Sequence, residues 1–178
     1  DMTELKDGTS AHHIMYIDYA SRQEVYLCNN AGCSHDTQDC TAVLAGEELG
    51  EENLPFYYKD HLYILSKAYD TSGSVQTSMI GDDESVRMLE NTLPAVLYRM
   101  NPDGTDRTAV YSFAEGETLD AHVFGDEDGL YFLTSKIEMK QIEDSHSYYS
   151  AQSEQKAVRI DPDKGTLTEL CDLKQPED

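Results

Sequence analysis

The chain has 178 residues, enough for one domain with a substantial core, and 35 acidic against 13 basic residues give a net charge of −22. That balance argues against nucleic acid, whose backbone is bound by clustered Lys and Arg, and against anionic membrane surfaces. No apolar run approaches the ~18 residues of a membrane helix, so no transmembrane segment is expected, and the polar opening DMTELKDGTS reads as the interior of a longer protein.

In chain order the strands expected are 12–18, 23–28, 54–59, 61–67, 95–101, 107–113, 120–125, 129–136, 156–161 and 166–172. Helical spacing of apolar residues is scarce, apart from a short turn expected over 84–89 with Asp82 or Asp83 as cap. Leu62-Tyr63-Ile64-Leu65 and Leu130-Tyr131-Phe132-Leu133 are apolar at every position, the pattern of a strand covered on both faces. Between strands the turns are explicit. Asn101-Pro102-Asp103-Gly104, Asp161-Pro162-Asp163-Lys164-Gly165, Lys59-Asp60 and Asp126-Glu127-Asp128-Gly129 carry the residues that tight turns demand. Their acidic side chains lack the twelve-residue ligand spacing of a calcium loop, so turn chemistry is the better account.

Phrases recur. IDYASRQEVYLC (17–28) and IDPDKGTLTELC (160–171) keep eight residues between ID and LC, and LYRMNPDGTDRTAVYSF (97–113) follows the same plan with a longer turn. HLYILSK (61–67) matches GLYFLTSK (129–136). Repetition of hairpins at this scale predicts an all-β fold of antiparallel four-stranded blades, as in a β-propeller. The whole chain, 1–178, then divides into a half-blade (12–28), a Cys/His loop (29–53), and blades at 54–113 and 120–172. About two and a half blades cannot close a ring of four to eight, so the chain reads as an incomplete propeller. Its open sheet edges invite self-association.

Tight turns and long connections fall alternately along the chain, which puts the long ones (29–53, 68–94, 114–119, 137–155) on one face. That face makes Asp82, Asp83, His146, Tyr148 and Tyr149 candidate ligand-binding residues, the tyrosines for stacking on a sugar or peptide. No catalytic signature is found: the chain has no G-x-S-x-G elbow, H-E-x-x-H helix or glycine-rich phosphate loop. The loop Cys28-x4-Cys33-x-His35-x4-Cys40 brings three cysteines and a histidine within thirteen residues, a donor set suited to tetrahedral zinc. Gly32 lets it turn back on itself. A disulfide within 28–40 is the alternative, with Cys171 then left over, and free thiols are the third possibility.

Two stretches, LYRMNPDGTDRT (97–108) and LCNNAGCSHDTQDCTAVL (27–44), carry a resemblance that covers about a sixth of the chain. Through them the chain resembles exported bacterial proteins of Firmicutes type, often lipoproteins, with TolB-like β-propeller domains. The resemblance implies export, a cell-surface or secreted location, and a non-enzymatic binding or scaffold role toward a protein, peptide or glycan. The alternative is part of a propeller enzyme acting on a glycan or peptide with its remaining blades absent. Length departs from the family pattern of about six blades.

Overall fold

A computed structural model describes residues 2–46, 50, 52–67, 78–79, 85–86, 94–114, 116–120, 122–141 and 148–173. Sixteen strands and no α-helix are found among them. They are β1 (Met2–Glu4), β2 (Ser10–His13), β3 (Met15–Asp18), β4 (Gln23–Tyr26), β5 (Val43–Ala45), β6 (Glu52–Tyr58), β7 (His61–Lys67), β8 (Ser78–Met79), β9 (Ser85–Val86), β10 (Val96–Met100), β11 (Thr108–Ser112), β12 (Glu117–Leu119), β13 (Phe124–Gly125), β14 (Leu130–Gln141), β15 (Tyr148–Asp161) and β16 (Thr166–Leu173). No helix among the described residues is long and apolar enough to cross a membrane.

The all-β expectation holds. β6, β7, β10 and β11 form a four-stranded sheet in chain order, and β12 to β16 form a five-stranded one, in which β12 and β13 both pair β14. The sheets of the described residues form no closed ring. The chain divides into two compact units, residues 1–66 with 97–109, and residues 67–96 with 110–178.

Four local expectations are corrected. In place of a strand over 120–125 the structure has β12 at Glu117–Leu119, within the connection expected over 114–119, and the two-residue β13 at Phe124–Gly125. The strand expected over 12–18 breaks at Ile14: β2 joins β1 and β5 in a three-stranded sheet, while β3 pairs only β4. The Ile14 N–H donates to Ala42 O and its carbonyl accepts from Leu27 N, so the bend costs no backbone hydrogen bond. The helical turn expected over 84–89 is, where described, the strand β9 paired with β8. The connection expected over 137–155 is largely strand, with Lys136↔Ser153 through Gln141↔Tyr148 in antiparallel register. Ile137-Glu138-Met139-Lys140 alternates apolar and polar and contains no turn residue, so pairing continues.

In the first unit β7 is covered on both faces as expected, with Tyr63, Ile64, Leu65 and Ser66 all buried. Phe56 stacks on Tyr63 at 5.5 Å. In the second unit the matching phrase is covered on one face only. Leu130 and Phe132 are buried while Tyr131 and Leu133 are half-exposed, and the Phe113 ring meets Phe132 edge-on at 5.6 Å.

The repeated phrases fold into repeated turns. Asp18 accepts the N–H groups of Ala20 and Ser21, and Asp161 those of Asp163 and Lys164. Asp126 does the same for Asp128 and Gly129. Donors from Ser21, Lys164 and Asp128 respectively head the interactions that hold these three carboxyls below the usual range. The acidic turns are thus occupied with their own backbone. Lys59 and Asp60 both take positive φ, the type I′ geometry of a two-residue hairpin.

Gly129 lies where β14 meets the end of β15. A Cβ there would sit 2.5 Å from the Ile160 carbonyl oxygen, closer than any real contact. Gly129→Ala is therefore expected to destabilise the second unit by about 2–4 kcal/mol, read as a lowered urea midpoint.

Candidate metal centre

The Cys/His loop belongs to the first unit. It leaves β4 at Leu27 and ends in β5. Two reverse turns shape it, with Cys33 N donating to Asn30 O and Cys40 N to Thr37 O, and Gly32 adopts φ 77°. The Sγ atoms of Cys28, Cys33 and Cys40 and a ring nitrogen of His35 all lie within 4.8 Å of one another. These four residues can hold a metal ion such as zinc. In a tetrahedron with Zn–S bonds near 2.3 Å the sulfurs stand about 3.8 Å apart, so a contraction of about 1 Å completes the site. The donor set of three soft thiolates and one imidazole fits that ion, and all four cysteines carry free thiols.

Cys40 is buried, and Cys28, Cys33 and His35 are half-buried. Burial works against ionisation of Cys28, yet the Asn30 N–H and the neighbouring Cys40 thiol favour it. Together they hold it below the ordinary thiol value. Burial pushes the Cys40 thiol up to about 12. The Ala42 N–H opposes that shift, and the neighbouring Cys28 and Cys33 sulfurs, which compete for its one S–H, add to it. The two thiols are thus shifted in opposite directions, and metal binding at this site requires the protons of all three thiols to leave.

Groups outside the four donors orient His35. Its backbone is in the left-handed region at φ 57°, a conformation that histidine tolerates better than most residues. His13 Nε2 donates to His35 O at 2.6 Å, and Nδ1 of His35 lies 3.3 Å from Cys40 Sγ. The Tyr26 ring stacks on the imidazole at 4.3 Å and meets the His13 ring edge-on at 4.9 Å. Such outer contacts fix ring orientation in metal sites.

The loop is anchored at both ends. On one side Lys6 pairs with Asp36 at 2.7 Å, the Lys6 N–H donates to Asp36 O, and Gln38 donates to Asp7 and Thr9. On the other stands the turn 101–107. Arg107 donates to the carbonyls of Thr41 at 2.6 Å and Val43 at 2.9 Å. Asn29 donates to Asp103, Thr41 Oγ1 donates to Leu27 O, and Gly104 packs beneath the Leu27 and Thr41 carbonyls. The two stretches that carry the sequence resemblance therefore fold against each other.

Of the candidate residues, the structure brings together Cys28, Cys33, His35 and Cys40. Cys171 is exposed on β16 in the second unit. Asp82, Asp83 and His146 lie outside the described residues, and Tyr148 and Tyr149 open β15 opposite Gln141 and Lys140. Sequence reasoning missed His13, Tyr26, Asn29 and Arg107. Tyr26, Asn29 and Arg107 sit in phrases already singled out, but nothing in those phrases names their partners. No family model, curated protein or solved structure matches the chain.

Proposed function

We propose that the chain is an extracytoplasmic binding or scaffold module, its two larger antiparallel sheets the blades of a TolB-like β-propeller. Its first unit is stapled by a structural zinc ion on Cys28, Cys33, His35 and Cys40. The observation that carries the metal reading is the convergence of three sulfurs and one imidazole within 4.8 Å, on a loop pinned from both sides. A bound ion also withdraws the thiolates from oxidation, which suits clustered cysteines in an oxidising compartment. The hairpin turns spend their carboxylates on their own backbone, which leaves the blades as a rigid platform rather than a source of acid–base groups.

Protein purified without reductant is expected to contain about one zinc per chain by elemental analysis. A thiol reagent should then modify Cys171 at once and the other three cysteines only after a chelator is added. Metal-free protein with Cys28, Cys33 and Cys40 already oxidised would replace the zinc staple by a disulfide.

A further inference from the structure

Beside the metal loop the first unit contains a cavity of about 420 Å3, within the usual range for small-molecule sites. Its walls are Met15 and Tyr16 on β3, Tyr26 on β4, and Pro55 and Tyr57 on β6, with Leu62 on β7. Asn29, Pro102 and Asp103 also line it. Tyr57 is 61% exposed and Tyr16 49%, so two aromatic rings stand open to an incoming molecule.

The lining is one-sided in charge. Asp103 supplies a carboxylate, and no lysine, arginine or histidine lines the cavity. Thr105 donates to Asp103 Oδ1 through both its N–H and its hydroxyl, and Asn29 donates to Oδ2. These bonds fix the carboxylate in place and use one of the two Asn29 amide N–H groups. Aromatic faces attract cations through their quadrupoles, and prolines with aliphatic side chains suit an apolar body. The net charge of −22 enriches cations around the protein as a whole.

We propose that this cavity binds a small organic cation with an apolar body, an aryl- or alkylammonium. Its charged head sits between the tyrosine rings and Asp103, and its body lies against Pro55, Leu62 and Pro102. The inference rests on the binding-module reading and names its ligand class. The metal reading rests on other observations, although the two sites adjoin: Tyr26 covers His35 and lines the cavity, and the candidate zinc ligand Cys28 lines it too.

The test titrates the full zinc-containing chain with 2-phenylethylammonium and with its uncharged counterpart 2-phenylethanol, followed by amide NMR shifts. Salt is kept at about 0.15 M to screen the acidic surface. The cation is expected to bind about tenfold more tightly than the alcohol, with shifts confined to the segments around Tyr16, Tyr57 and Asp103. Asp103→Asn should erase that preference. Because Asp103 also shapes its turn, Tyr57→Leu at an exposed position is the second variant, expected to weaken the cation about threefold with zinc content unchanged. Equal affinity for the two probes, shifts scattered over the surface, or no binding at all would each overturn the proposal. Loss of zinc with ammonium binding intact would instead count against the metal reading alone.

Discussion

Cys40→Ser is expected to lower bound zinc from about one ion to below about 0.1 per chain and to unfold the first unit at ordinary temperature. Cys40 is the buried member of the donor set, at 3% exposure, so no outside ligand can take its place. A serine hydroxyl stays protonated at neutral pH and is a poor donor for zinc. Structural zinc supplies roughly 10–16 kcal/mol of apparent binding energy in small metal domains, comparable with the whole stability of a typical domain. Metal analysis and thermal melting followed by circular dichroism check the result. Cys171→Ser, on an exposed strand of the other unit, is the control and should change neither reading. Zinc retained at full stoichiometry by Cys40→Ser would show that Cys40 is not a ligand.

Gly104→Ala should be nearly as damaging, for steric reasons. Gly104 is buried at φ 84°, where an L side chain is strained by about 1–2 kcal/mol. An added Cβ would also stand 3.0 Å from both the Leu27 and Thr41 carbonyl oxygens and 3.2 Å from Thr41 Cβ. Two of these neighbours are backbone, so relief requires the ends of the metal loop to move. The Thr41 carbonyl is the one that accepts from Arg107, so the same shift loosens that clamp. The expected cost is about 3–5 kcal/mol with weaker zinc retention in a chelator competition. Gly46 is a matched reference, with φ 62° and open space around its missing Cβ. Gly46→Ala should show the backbone strain alone. Equal losses at the two positions would remove the packing argument.

The strands were legible where two signals agreed. In 23–28, 61–67 and 166–172 a β-rich run is bounded by a turn of Asp, Gly or Pro, and the structure places strands there. The break at Ile14 was not legible, because 12–18 is continuous in pattern and changes sheets only through partners supplied by Ala42 and Leu27. One of those sheets depends on β5, three residues inside the Cys/His loop and too short to announce itself. The extension of β14 and β15 was written in the alternation over 137–140 but hidden by its polarity. At the metal centre the four donors were visible as chemistry, since cysteine and histidine so close together have few other uses. Their support was invisible, because Arg107 reaches carbonyls 64 and 66 residues away and any residue can offer a carbonyl.

That distance has a consequence for how the molecule comes to be. The pocket of sulfurs is encoded within thirteen residues, yet its roof is delivered by a turn made much later in synthesis. Long-range closure is slow relative to local turn formation. The nascent Cys/His loop therefore carries all its donors before Gly104 and Arg107 have emerged to clamp it. That interval is when these cysteines are most open to oxidation.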